Sequence, residues 1–128
     1  METQGITLSS LEIDLSVCKL DLDALVPAWA ISGNFYSLTR RTNELSLVCE
    51  SNYVPKDVRA EDGWRALEVV GSLDFGMTGV IAKLSKVLAD AGIPIFVIST
   101  FDTDVMLVKE GRFADACYSL QEAGYTFG

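Results

Sequence analysis

The sequence predicts an α+β fold of two units, each an antiparallel sheet with helices on one face, the first unit abbreviated. Three observations predict it. Residues 65–127 run through strand-sized apolar stretches and two helical stretches in the order strand, helix, strand, strand, helix, strand, the split βαβ arrangement. Sliding the N-terminal half forward by 60 positions lays residues 35–39 on 95–99 and residues 44–50 on 104–110 without a gap, an internal repeat. The chain has 128 residues, 49% of them hydrophobic, which suits one compact domain or two small lobes sharing an interior. A unit of ~60 residues alone hides only about 60% of its extended surface. The expected units are residues 1–60 and 61–128, with residues 51–63 as the bridge.

In chain order, Ile6-Thr7-Leu8 reads as an edge strand, and residues 12–20 alternate apolar and polar as a half-buried strand does. Between Leu20 and Phe35, Pro27 leaves room for a turn or two of helix at most, around residues 23–31. Two strands follow at residues 35–39 and 44–50, and residues 65–73 read as the first strand of the second unit. Apolar residues at 80, 81, 84, 87, 88 and 91 then form one helical stripe. Lys86 and Asp90 fall one turn apart on the outer face, and Gly92 before Ile93-Pro94 is a helix stop. Residues 95–100 and 105–108 are apolar at consecutive positions, which predicts strands covered on both faces. Phe113, Ala116, Cys117 and Leu120 mark a second helix ended by Gly124, and residues 125–127 a last short strand. Trp29 and Trp64 read as packing residues.

Charge and composition exclude several functions. With 10 Lys+Arg against 18 Asp+Glu, a net charge of −8 disfavours nucleic acid, whose phosphates need clustered cations. No apolar run is long enough to span a membrane. Histidine is absent, which removes imidazole bases and His-liganded metal, so no metal site or cofactor is expected. Cys18, Cys49 and Cys117 are odd in number, form no CxxC and sit in apolar stretches. They read as buried thiols in a reducing cytoplasm, and the opening residues show no basic-then-apolar leader.

Two places carry chemistry. The glycine-punctuated turn Asp74-Phe75-Gly76-Met77-Thr78-Gly79 precedes the first helix. Helix-opening N–H groups lack internal partners and carry partial positive charge, so a carboxylate can seat there. A tight turn with Thr78 as cap accounts for the same residues. Ser99-Thr100-Phe101-Asp102-Thr103-Asp104 supplies hydroxyls, carboxylates and a ring at a hairpin. Asp104 facing inward would receive an ammonium or guanidinium group, and an ordinary solvated turn is the other reading. In a split βαβ unit the first and third strands are neighbours. The donor-rich turn and Asp104 then face each other across a gap suited to a free amino acid.

These residues, with Ala91-Gly92-Ile93 and Ile98 beside them, closely resemble the ACT domain, a family of small-molecule-binding regulatory modules. More narrowly they resemble the subfamily of tandem-ACT small bacterial proteins, aspartokinase regulatory regions and cytosolic arginine sensors. Ser37-Leu38-Thr39-Arg40 and Asn43-Glu44-Leu45-Ser46 are similar to the N-terminal half of the small bacterial proteins. The resemblance implies two ferredoxin-like (βαββαβ) units and a non-catalytic sensor. Its ligand carboxylate would meet Gly76, Met77, Thr78 and Gly79. Thr100, Phe101 and Asp104 would hold the amine or side chain, and Asp74 and Phe75 would shape the rim. It also implies a homodimer and a regulated protein partner. One departure is the spacing from Asp74 to Gly79, two residues longer than the usual Asp-x-x-Gly, which leaves the identity of the bound group open.

The acidic balance leans the ligand towards arginine or lysine. An oligomerisation module without a ligand is the alternative. An enzyme acting on acyl phosphates would need a basic residue aimed at phosphate, and the candidates are Arg40, Arg41 and Arg65. Arg40 and Arg41 read as solvated hairpin charges or contacts to an acidic partner.

Overall fold

The computed structural model describes residues 6–70 and 79–128. Its strands are β1 Thr7–Leu20, β2 Tyr36–Arg41, β3 Glu44–Glu50, β4 Ala60–Val69, β5 Phe96–Ser99, β6 Asp104–Lys109 and β7 Thr126–Phe127. Its α-helices are α1 Val80–Asp90 and α2 Glu110–Glu122, with 3₁₀ turns at Ala28–Ile31 and Ser51–Tyr53. The chain divides into two compact units, residues 1–12 with 65–128, and residues 13–64. The expected cut between residues 60 and 61 falls inside β4.

In the larger unit the strand order is β7, β1, β4, β6, β5. β1 enters parallel to β7, Thr7 opposite Thr126 and Leu8 opposite Phe127, and the Val70 N–H donates to the Thr7 carbonyl at 2.8 Å. Ile6-Thr7-Leu8 is therefore not an edge: it opens a strand inserted between the last strand of the unit and β4. This placement buries Leu8 completely. The core gathers Leu8, Leu67 and Val69 with Val80, Leu84 and Leu88 of α1, Met106 and Val108 of β6, and Ala116 and Leu120 of α2. The α1 stripe is the expected one. Lys86 Nζ lies 2.8 Å from Asp90 Oδ2 on the outer face, and Gly92 adopts φ 72° as the Ile93 N–H closes on the Leu88 carbonyl at 2.9 Å. This is the left-handed helix ending that glycine permits.

β6 is buried at Val105, Met106, Leu107 and Val108, as a strand covered on both faces should be. β5 departs from that expectation. It lies at the end of the strand order, and Val97 and Ser99 are exposed while Phe96 and Ile98 are half-buried, the alternation of a strand covered on one face only.

In the unit of residues 13–64 the order is β2, β3, β1, β4. β1 pairs antiparallel with β3, Ser16 opposite Cys49 and Cys18 opposite Leu47. Cys18, Ala30, Leu45, Leu47 and Cys49 form its core, with Trp29 and Leu38 packed against them. The segment after Leu20 contributes one 3₁₀ turn, Ala28–Ile31, directly after Pro27. Proline presets the extended φ before such a turn and cannot sit inside a longer helix.

The repeat appears as two hairpins. β2 pairs with β3 from Arg41 opposite Glu44, and β5 with β6 from Ser99 opposite Asp104. Under the 60-residue overlay Thr39 corresponds to Ser99, yet Thr39 pairs with Ser46, two positions beyond the residue matching Asp104. A gapless sequence overlay thus conceals a two-residue difference in register. Two residues is the side-chain period of a strand, so every face is preserved.

Candidate functional site

Asp104 opens β6 and is half-buried. Ser99, its cross-strand partner, donates its hydroxyl to Asp104 Oδ1 at 2.6 Å. The connection between the strands is closed by Thr100 and Thr103. The Thr100 N–H reaches the Thr103 carbonyl at 2.8 Å, and the Thr103 N–H reaches Thr100 Oγ1 at 3.2 Å. Thr103 Oγ1 in turn donates to the carbonyl of Val69 at 3.1 Å. Val69 ends β4, so the hairpin tip is fastened to the end of the strand that leads in sequence to residue 74. Phe101 stands out at the tip with 79% of its surface exposed.

Of the expected site residues, Thr100, Phe101 and Asp104 therefore share one hairpin. Gly79 is the residue before α1, in the left-handed conformation at φ 77° with no side-chain cap among the described residues, and its carbonyl accepts the Lys83 N–H at 2.9 Å. Asp74, Phe75, Gly76, Met77 and Thr78 lie outside the described residues.

The three arginines considered for acyl-phosphate chemistry each have partners. Arg65 Nη2 lies 3.9 Å from Glu12 Oε2 and Nη1 3.4 Å from Glu110 Oε2, while its guanidinium stacks 4.5 Å from the centre of the Phe113 ring. Arg41 pairs with Glu44 at 3.2 Å. Arg40 is not simply a solvated charge. It donates to the carbonyls of Leu22 at 2.6 Å and Ala24 at 2.5 Å, binding the segment after β1 to β2. Burial pushes the Cys18 thiol up to about 12, helped by the neighbouring Cys49 and by Asp62. Burial also raises Cys49 and Cys117. A raised thiol withholds the thiolate that nucleophilic or ligand chemistry requires.

One polar arrangement was not singled out in the sequence. Ser16 of β1 is fully buried, with its Oγ 2.7 Å from Ser51 Oγ and donating to Asp62 Oδ1 at 2.6 Å. A serine in a strand is common, and nothing local announces partners 35 and 46 residues away. No helix among the described residues is long and apolar enough to cross a membrane.

Comparison with known proteins agrees with this architecture. The family model described as ACT domain matches residues 59–122, half of the chain, and a second model describing an N-terminal domain matches residues 14–57. A search of curated proteins returns no match. Among solved structures, a protein from Agrobacterium tumefaciens is 36% identical with a TM-score of 0.90, covering 96% of this chain and 92% of that one. A Vibrio cholerae protein of unknown function, described as a possible transport protein, is 19% identical with a TM-score of 0.76, covering 94% and 91%. The regulatory subunit of aspartate kinase from Thermus thermophilus, in its ligand-free form, shares the fold at 9% identity and a TM-score of 0.65, covering 94% and 99%. The βαββαβ order of residues 60–127, the hairpin fastened to the end of β4 and the family match over the same residues lead to one statement: the chain belongs to the ACT domain family.

Proposed function

We propose that this chain is a non-catalytic regulatory protein that senses a free amino acid at an ACT-type site. In this reading the ligand carboxylate meets the turn of Gly76, Met77, Thr78 and Gly79. Thr100, Phe101 and Asp104 hold its amine or side chain, and Asp74 and Phe75 form the rim. The observation that carries the reading is the hydrogen bond from Thr103 to Val69. It ties Asp104 and its hairpin to the end of the strand from which the glycine turn continues in sequence. The likeness to an aspartate kinase regulatory subunit supports a regulatory role. In this reading the chain is of the tandem-ACT kind and acts as a cytoplasmic homodimer on a partner protein. The acidic balance of the chain, −8 overall, favours arginine or lysine as ligand.

A thermal-shift screen of the twenty amino acids tests the reading. Ligand at 100 times its dissociation constant adds about 2.7 kcal/mol to stability. A shift that appears in the parent and shrinks in Asp104→Asn and Thr78→Val is the expected outcome. A shift unchanged in both variants places the site elsewhere. The absence of any shift favours a second reading, an oligomerisation module without ligand, which draws on the exposed apolar side chains Leu22, Leu25, Val26 and Ile31.

A further inference from the structure

The unit of residues 13–64 holds a pocket lined by none of the residues of the amino-acid reading. Its volume is about 530 Å³, with Asp14, Lys56 and Asp62 as its charged lining and Val54, Pro55 and Val58 among its apolar walls. That volume falls in the range of small-molecule sites, roughly 300–1,000 Å³, where an apolar lining carries a few placed polar groups.

The buried Ser16 has a use here. A hydroxyl carries one hydrogen, and Ser16 gives its own to Asp62 Oδ1 at 2.6 Å. The contact with Ser51 Oγ at 2.7 Å must then be a donation from Ser51 to Ser16. The resulting relay, Ser51 to Ser16 to Asp62, fixes one carboxylate oxygen at the pocket wall from a fully buried anchor. Asp14 precedes Ser16 by two positions on β1, so it projects on the same side of the strand. Among the residues lining the pocket, two bear carboxylates and one, Lys56, an ammonium, and the balance of that lining favours a cation.

We infer that this pocket binds a small aliphatic amine, its ammonium group received by Asp14 and Asp62 and its methylene chain laid on Val54, Pro55 and Val58. Asp62, oriented beforehand by Ser16, loses little freedom on binding, and such preorganisation raises affinity without new contacts. Lys56 opposes the cation and sets a ceiling on that affinity.

The experiment is an NMR titration of the whole chain with 1,5-diaminopentane, with pentane-1,5-diol as the uncharged control. Amide shifts centred on residues 51–63, weakened by added salt and absent with the diol, are expected. Asp62→Asn, which keeps an acceptor for Ser16, should weaken binding about tenfold, as loss of a charge-assisted hydrogen bond does. Asp14→Asn should weaken it too, and Lys56→Gln should tighten it a few-fold, on the scale of an exposed charge contact. Absence of amine binding at millimolar concentration overturns the inference. So do equal responses to the diol, shifts centred on residues 99–104 instead, or affinity unchanged in both aspartate variants. Shifts centred on residues 99–104 would overturn the inference while favouring the amino-acid reading; the other results leave that reading to its own screen, whose variants lie at residues 78 and 104.

Discussion

Ser99 donates its hydroxyl to Asp104 across the first pair of the β5–β6 ladder, at 2.6 Å. The hydrogen bond orients the carboxylate through Oδ1. Replacing Ser99 with Ala should cost about 1 kcal/mol of stability, the usual worth of one such bond. It should weaken the stabilising amino acid about threefold, less than the tenfold or more expected for Asp104→Asn, which removes the charge itself. Isothermal calorimetry on the two variants checks the order, and equal losses would refute an orienting role for Ser99.

Glu50 accepts the N–H groups of Asn34 at 2.5 Å and Phe35 at 3.2 Å, anchoring the loop into β2. Gly33 precedes this contact at φ 84°, where a Cβ would run into the Glu50 carboxylate and the Tyr53 ring. Gly33→Ala should therefore lose more than the ~1–2 kcal/mol of left-handed strain alone. Urea denaturation of Gly33→Ala in the parent and in a Glu50→Ala background separates the two contributions. Part of the loss should disappear once the carboxylate is gone.

Arg65 has only 19% of its side chain exposed, whereas its partners Glu12 and Glu110 are 88% and 61% exposed. Ion pairs to such solvated carboxylates contribute about 0–1 kcal/mol, less than the ~2 kcal/mol that a largely desolvated guanidinium can gain over a ring. Double-mutant cycles should accordingly show a larger coupling of Arg65 with Phe113 than with either glutamate. Coupling concentrated on Glu110 would contradict this.

Cys18 is pushed from an ordinary thiol value of 9.0 to about 12 in the folded chain, burial being the chief cause. A raised folded value favours the folded state below the unfolded pKa. Its contribution is complete below about pH 9, diminishes between about pH 9 and 12, and is gone above the folded pKa. Chemical denaturation across that window should show stability declining with pH. The slope should be shallower in Cys18→Ala, whose midpoint at pH 7 falls because a packed side chain is lost. An identical slope would remove Cys18 as the source.

Leu84 lies fully buried in the α1 face of the larger unit. Leu84→Ala should cost about 2–5 kcal/mol through lost burial and a residual cavity, while Lys86→Ala on the exposed face of the same helix should stay within about 0.5 kcal/mol. Thermal melts of the two variants test this assignment of faces.

Much of this fold is legible in the residues one element at a time. The α1 stripe, the glycine ending at Gly92, the consecutive burial of β6 and the acidic residues opening β3 and β6 all depend on spacings of a few positions. Thr100, Phe101 and Asp104 were readable as one group for the same reason, since a single hairpin holds them. What Asp104 contacts was not. The gapless overlay would set Ser99 opposite Met106, and only the observed register sets it opposite Asp104.

By itself, then, the sequence determined the two helices, the inward stripe of α1 and which hairpin carries the acid, because backbone periodicity acts between near neighbours. The tertiary structure alone decided that Ile6-Thr7-Leu8 opens a strand between β7 and β4, that Thr103 fastens its hairpin to Val69, and that Ser16 anchors Asp62. Those choices join residues dozens of positions apart. They are settled by how the segments pair and bury one another, a competition that no local spacing records.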